Sequence, residues 1–231
     1  MKQLVLLVFL PLLFSFTFRP TTQTIDINKK QKSTQFLIEN TTDEIIPVTV
    51  KGFLRLQKSD GKEDLPVTND ISVFPPQLII SPGERKTIRV DWKGPSSLEV
   101  ERVYRVVAEQ VPLKLKNGNK KDSGGIKMLL KYMNVVYVPP KNPSSKLEAI
   151  KYEVKGEWIN VHLRNSGNVH QYIKNLHINF ERNGKTFSIS RKQLDKLNGQ
   201  NILAKTTRVF KFKNTLKVPS NYKVSIKFDK I

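Results

Sequence analysis

The stretch IKMLLKYMNVVYVPP, from residue 126 to residue 140, has the pattern of one extended strand whose two faces are both apolar. Alternation places Ile126, Met128, Leu130 and Tyr132 on one face, and Leu129, Met133, Val135 and Tyr137 on the other. Such a strand would be an aggregation site if it were left exposed at a sheet edge. It is either a central strand buried on both faces, or a strand with one face on its own sandwich and the other on a partner.

The rest of the chain also favours strands. Short runs rich in Val, Ile, Phe, Tyr and Thr alternate with turn signals, among them Asp60-Gly61 and Asn183-Gly184. The proline-rich segment VPPKNPSSKLEAI (138–150) separates two such regions. We therefore predict an all-β chain of two β-sandwich domains, at residues 20–140 and 145–231.

The first residues predict export. Lys2 precedes an apolar run from Leu4 to Phe18 that Pro11 interrupts. The run is shorter than the ~20 apolar residues that span a bilayer, and it has the length of a signal peptide. We predict a signal peptide at residues 1–18, with an uncleaved anchor as the alternative.

Charge and residue types limit the possible functions. The formal net charge is +20, and residues 141–231 hold 19 of the 40 basic but only 6 of the 20 acidic side chains. A basic half suits nucleic acid, an anionic envelope surface, an acidic protein or solvent alone, and export argues against nucleic acid. The chain has no cysteine, and its three histidines lack metal-ligand spacing. No catalytic or nucleotide motif occurs, so we expect no enzyme, no cofactor and no metal site.

Two segments carry a resemblance to a known family. VFPPQLIISPGERKTIRVDW (73–92) and EVERVYRVVAEQVP (99–112) resemble periplasmic pilus-assembly chaperones of the chaperone–usher pathway, the PapD-like family. The resemblance implies two immunoglobulin-like β-sandwich domains set at an angle, with a cleft between them, in the periplasm. It also implies that the last strand of the first domain is lent to an incomplete pilin-like subunit, which is then delivered to an outer-membrane usher.

The predicted subunit-binding strand contains Ile126, Met128, Leu129, Leu130 and Tyr132. We expect Met128 and Leu130 to face the client subunit, and Met133, Val135 and Tyr137 to pack on the chain's own sandwich. The alignment to the family instead favours the row with Leu129 as the client-facing one, which a bulge or a register shift would produce. The exposed edge also suggests self-association of the protein when it is free of client.

The family holds the client's terminal carboxylate with two basic residues deep in the cleft. Here the matching positions are Thr24 and Asn134, neither of which is basic. Three alternatives follow: the register of this alignment is off, Lys127 or Lys131 takes over the role, or the client is anchored differently. The rival interpretation of the whole chain is an exported two-domain immunoglobulin-like adhesin or envelope scaffold protein.

Overall fold

The computed structural model describes residues 16–112 and 129–228, which form two β-sandwiches with separate hydrophobic cores. The strands of the first sandwich are β1 (Thr17–Arg19), β2 (Thr22–Thr24), β3 (Ser33–Glu39), β4 (Ile46–Leu54), β5 (Leu56–Gln57), β6 (Glu63–Asp64), β7 (Ile71–Phe74), β8 (Gln77–Ile80), β9 (Arg85–Trp92), β10 (Arg102–Gln110) and β11 (Lys131–Val138). A 3-10 turn at Ile27–Lys29 lies between β2 and β3.

The first sandwich consists of two facing sheets, in the strand orders β1-β3-β9-β7 and β2-β11-β10-β4-β8. Its strands alternate between core and surface. In β3, Phe36 and Ile38 are buried while Gln35 is exposed, and in β9, Ile88 and Val90 are buried in the same core. This period of two is what the sequence pattern predicts for strands with one face on a core.

The chain crosses from one sheet to the other near its start. β1 pairs with β3 in the first sheet, and β2 pairs in parallel with β11 in the second. Phe16 and Phe18, on either side of Thr17, are fully or almost fully buried in the core. A leader that ended at residue 18, as the sequence suggested, would remove both rings from the sandwich.

The second sandwich contains β12 (Leu147–Lys155), β13 (Trp158–Asn165), β14 (Gln171–Tyr172), β15 (His177–Arg182), β16 (Lys185–Ser188), β17 (Asn201–Ile202), β18 (Thr207–Lys213) and β19 (Lys223–Lys227). A short helix, α1 (Arg191–Leu194), and a 3-10 turn, Asp195–Leu197, precede β17. The sheets are β12-β13-β18, β16-β15-β19 and the pair β14-β17. No helix within residues 16–112 and 129–228 is long and apolar enough to cross a membrane. The predicted all-β class is confirmed.

Candidate functional site

Strand β11 lies second from the edge of its sheet, but only along half of its length. β10 pairs with it from Lys131 to Val138, whereas β2 pairs only with its Val135–Tyr137 part. In the described part of the chain, no strand pairs with the outer edge of β11 before Val135. The first half of β11 is therefore an open sheet edge.

The inner face of β11 is the even-numbered row. Leu130 and Tyr132 pack against the core of the first sandwich, and Val136 and Val138 belong to that core. The Tyr132 hydroxyl also donates to the backbone oxygen of Phe16 at 2.6 Å. The prediction that Leu130 faces away from its own sandwich is wrong. Both rows of the sequence are apolar, so the alternation alone could not tell the inner row from the outer one.

The outer face of β11 is covered along only half of its length. Leu129 is 50% exposed and Met133 is 39% exposed, which contradicts the expectation that Met133 packs at home. Val135 and Tyr137 are buried, but in a separate cluster with Val103 and Leu203. Leu203 belongs to the second sandwich. That sandwich thus covers the second half of the outer row and leaves the first half exposed.

The remaining predicted site residues divide into two groups. Ile126, Lys127 and Met128 lie outside the described residues. Lys131 is half exposed and forms an ion pair with Glu109 on β10, with 3.4 Å between Nζ and Oε2. An exposed pair of this kind contributes little to stability, so Lys131 can exchange this partner for another anion.

A groove of about 580 Å³ continues from the open edge of β11 into the joint between the sandwiches. Arg55, Arg105 and Arg208 all line it. Arg55 Nε and Arg105 Nη2 lie 2.7 and 2.6 Å from the same oxygen of Glu63. Burial alone would raise the pKa of Glu63, but the hydrogen bonds and charges of the two arginines lower it below its ordinary value. Glu63 is therefore ionised at neutral pH.

Arg208 has no carboxylate partner among the described residues. Its Nη1 donates to the side chain of Gln200 and to the backbone oxygen of Asn201, and its Nε is buried without a partner in the described structure. Burial lowers the pKa of Arg208, and the charge of Arg55 lowers it further, although a guanidinium stays protonated. Four basic side chains line this groove, the three arginines and Lys131, and no acidic side chain of the described residues does. The groove therefore attracts anions, although Glu63 pairs with two of the arginines and Glu109 with Lys131.

The hairpin of β5 and β6 connects the two sandwiches. The Gln57 side chain contacts Asn201 and Leu203, and Val209 N donates to Ser59 O at 2.7 Å. Gly61, with φ +88°, lies so close to Arg208 that a Cβ there would collide with the guanidinium. The hairpin thus fixes the wall of the groove that carries Arg208.

A second connection in the joint surrounds a buried carboxylate. The Glu101 side chain is 2% exposed, and one of its oxygens accepts from His170 N at 2.9 Å and lies 2.8 Å from His170 Nδ1. The His170 ring stacks on Tyr137, with 3.9 Å between the ring centres. Tyr137 OH in turn accepts from Asn201 Nδ2 at 2.7 Å. These contacts hold the second half of β11 against the second sandwich.

An exposed apolar row crosses the outer face of the same sheet at its far end from the joint. Continued two residues past its last pair, the register of β10 and β11 aligns Leu129 with Val111. Val111 N donates to Pro47 O, and Pro47 pairs with Ile79. Val111 is 37% and Ile79 is 60% exposed. The row (Leu129, Val111, Pro47 and Ile79) begins at the open edge and runs away from it.

The comparison with known protein families identifies the fold. The family model described as "Pili and flagellar-assembly chaperone, PapD N-terminal domain" matches residues 17–144, more than half of the chain. This chain belongs to that family. The family is one of assembly chaperones and not a class of enzymes. The family that the two segments suggested is thereby confirmed.

Solved structures of PapD-like chaperones share the fold. The class 5 fimbriae chaperone CfaA aligns with 94% of this chain and 92% of its own, at 19% identity and a TM-score of 0.60. A chain of the CsuC–CsuE chaperone–tip adhesion subunit complex of Acinetobacter baumannii aligns over 85% and 90%, at 15% identity and 0.58. A chain of the SafA pilin–SafB chaperone complex of Salmonella enterica aligns over 85% and 83%, at 13% identity and 0.51. No curated protein sequence matches this chain.

In this PapD-like chaperone, Thr24 and Asn134 occupy the two positions at which the resemblance implies a basic pair. Thr24 is exposed in β2. Asn134 is buried, and its Nδ2 donates to the backbone oxygens of Phe18 at 3.0 Å and Pro20 at 2.9 Å. Asn134 therefore holds the segment where the chain crosses between the sheets.

Sequence reasoning did not single out the arginines of the groove. Arg55, Arg105 and Arg208 lie on three separate strands or strand ends, so no local spacing connects them. The sequence signal for such a residue is a basic side chain within a strand-like segment, as in TTRVFKFK around Arg208. That signal is shared by many solvated arginines and lysines of this chain.

Proposed function

We propose that this chain is a periplasmic chaperone that captures fimbrial subunits by donating the open edge of β11, and that it reaches the periplasm after removal of a leader. The observation that carries the proposal is the uncovered first half of β11, with the exposed Leu129 and Met133 on its outer face, in a member of the pilus-chaperone family. We propose this half strand, rather than the row with Met128 and Leu130, as the client-facing surface.

The hydrogen-bonding direction of β11 supports strand addition. Leu130 O accepts from Gln110 N, so Leu130 is directed towards β10, whereas Val135 N donates outwards to Thr21 O. Because these directions alternate along a strand, the backbone groups of Lys131 and Met133 are directed to the open edge. A subunit that lacks one strand could pair with those groups, while Leu129 and Met133 fill its apolar groove.

The solved relatives support the nature of the partner. One match is a complex of a chaperone with a tip adhesion subunit, and another is a complex of the SafA pilin with the SafB chaperone. We infer that the client here is likewise a pilin-like subunit. In its absence, the same edge could pair with the edge of a second copy.

The groove next to the edge suits the client's terminal carboxylate. Arg105 Nη1 donates to Met133 O at 2.9 Å, so the arginine-lined part of the groove lies next to the end of the segment proposed for donation. Arg208 also lines the groove, and its Nη1 hydrogen bonds go to an amide and a backbone oxygen and not to a carboxylate. A carboxylate held by guanidinium groups forms short, charge-assisted hydrogen bonds. We propose Arg105 and Arg208 as anchors beside the earlier candidates Lys127 and Lys131.

The exposed apolar row supports a second partner. The row of Leu129, Val111, Pro47 and Ile79 extends from the open edge across the sheet, so Ile79 stays accessible while a subunit occupies β11. An exposed apolar row of this kind suits a protein interface. We propose that the outer-membrane usher binds there.

The test of strand donation is capture of a fimbrial subunit of the same organism, co-expressed with this chain. We expect Leu129→Asp and Met133→Asp to reduce co-purification at least tenfold, because a charge in an apolar pocket costs several kcal/mol. Val67→Asp is the control, because Val67 is 84% exposed and far along the chain from β11. Full capture by folded Leu129→Asp and Met133→Asp proteins would refute donation.

The anchor and the usher surface are tested on the same complex. Arg105→Gln and Arg208→Gln should weaken capture of a subunit with its natural C-terminus but should not affect one extended at that end. Arg191→Gln is the control, since Arg191 lies on α1 and pairs with Asp195. Ile79→Asp should leave capture intact and abolish binding of the subunit-loaded chaperone to the purified usher. If all of these changes affected subunit capture and usher binding equally, the proposal of two separate surfaces would be contradicted.

A further inference from the structure

The second sandwich has a free end opposite the joint. The turn between β12 and β13, at Gly156-Glu157, lies beside the loop that follows β18. Asn214 N donates to Glu157 O at 2.8 Å and connects the two. We call the segments 155–158 and 211–217 the distal tip. The joint residues Leu203 and Thr206 precede the opposite end of β18, so the distal tip is remote from the groove and from β11.

The distal tip combines exposed apolar side chains with cations. Trp158 is 40% and Leu216 is 47% exposed. Four exposed lysines belong to the same two segments: Lys155, Lys211, Lys213 and Lys217. Lys211 Nζ lies 4.3 Å from the centre of the Trp158 ring. Glu157 is the only acidic side chain in the two segments, and Lys155 pairs with Glu153 just outside them, with 3.0 Å between Nζ and Oε2.

This combination has a physical consequence. One exposed apolar residue is ordinary on a protein surface. Here a tryptophan and a leucine are exposed on neighbouring segments that also carry four exposed lysines. An indole ring prefers a position between water and an apolar phase, and lysine side chains extend from such a position to reach anionic groups. Anionic lipid headgroups attract each nearby lysine electrostatically.

We propose that the distal tip binds the surface of an anionic lipid bilayer, with Trp158 and Leu216 at the headgroup level and the four lysines on the lipid phosphates. A lipid surface fits better than nucleic acid, because the tip exposes two large apolar side chains and all four of its cations are lysines without the planar donor fork of arginine. The contact is peripheral and reversible, since only two apolar side chains enter the interface. It leaves β11 and the groove accessible, and it does not depend on the proposed chaperone function.

The experiment uses the full purified chain and vesicles of phosphatidylcholine, with or without phosphatidylglycerol. We expect sedimentation only with the anionic vesicles, and release as salt is added. Lys213→Glu with Lys217→Glu should weaken binding more than twentyfold, given about fivefold for each lysine that is lost. The fluorescence of Trp158 should shift to the blue on binding, and Trp158→Phe should abolish that shift while Trp92 stays buried.

Matched charge changes at the other end of the sandwich are the control. Lys141 and Lys146 are exposed there, and Lys141→Glu with Lys146→Glu changes the net charge equally. If this control loses as much binding as the tip variant, net charge alone is responsible and the proposal is wrong. It is also wrong if the vesicles are not bound, if neutral vesicles bind equally well, or if double-stranded DNA binds through the tip lysines while the vesicles do not.

Discussion

Asn134 offers a sharp test of how the structure differs from the family pattern. The resemblance to the family implies a basic residue at this position, but here the side chain is 3% exposed and donates two hydrogen bonds to the crossing segment. Asn134→Leu removes both donors and leaves the carbonyls of Phe18 and Pro20 without them. Each net hydrogen bond contributes about 1 kcal/mol, and a buried carbonyl left unpaired costs about 1–3 kcal/mol. We expect a loss of about 2–4 kcal/mol.

Asn134→Lys puts an ammonium group into the same buried place. Because an unpaired buried charge costs several kcal/mol, we expect an even larger loss of stability and no gain in client binding. Thr24→Lys is the matched control: Thr24 occupies the other family position but is exposed, so its replacement should change stability by no more than about 0.5 kcal/mol.

Urea unfolding measures the effect on the first sandwich. Trp92 is 8% exposed in the core of that sandwich, so the Trp158→Phe background makes its fluorescence a local reporter. With a slope of about 2 kcal/mol per molar urea, the midpoint should fall by about 1–2 M for Asn134→Leu. A shift below about 0.3 M, or equal effects of Asn134→Lys and Thr24→Lys, would refute the structural role of Asn134.

Three further predictions concern the ends and the joint. Mass spectrometry of envelope protein should find a mature chain that starts at or before Phe16, because a start after Phe18 would leave the core without two buried rings. The pKa of Glu63 is lower in the folded than in the unfolded chain. The stabilisation that ionised Glu63 gives the folded state is therefore present above about pH 4 and is lost as the pH falls through the folded pKa. Glu63→Gln should flatten this part of the acid-unfolding curve, and an unchanged curve would contradict this role of Glu63. Glu101→Leu should uncouple the sandwiches, seen as a larger radius in X-ray scattering without unfolding, because His170 loses its buried partner; an unchanged radius would contradict this.

The sequence predicts the architecture well because strand alternation and turn signals are local. Each buried position in β3 or β9 is separated from the next by one residue, and Asn183-Gly184 marks its hairpin directly. The family was also recognisable, because its motifs in residues 73–112 are contiguous.

The facing of β11 could not be predicted in the same way. Leu130 and Met133 are both apolar, so the alternation does not tell which of them faces the core. The elements that cover Val135 to Tyr137, which are β2 and the second sandwich, are distant in sequence and meet β11 only in the folded chain. For the same reason the end of the predicted leader cannot be located from the sequence. Phe16 and Phe18 continue an apolar run, and only their packing in the core separates them from it.

We propose that the first half of β11 is lent to a client through its open edge. Hydrogen exchange followed by NMR measures this directly on the chain with and without a bound subunit. The amides of Lys131 and Met133 are directed to the open edge, whereas those of Tyr132 and Asn134 are directed to β10. Subunit binding should strongly slow exchange at Lys131 and Met133 and leave Tyr132 and Asn134 protected in both states. Unchanged exchange at Lys131 and Met133 in a saturated complex would contradict it.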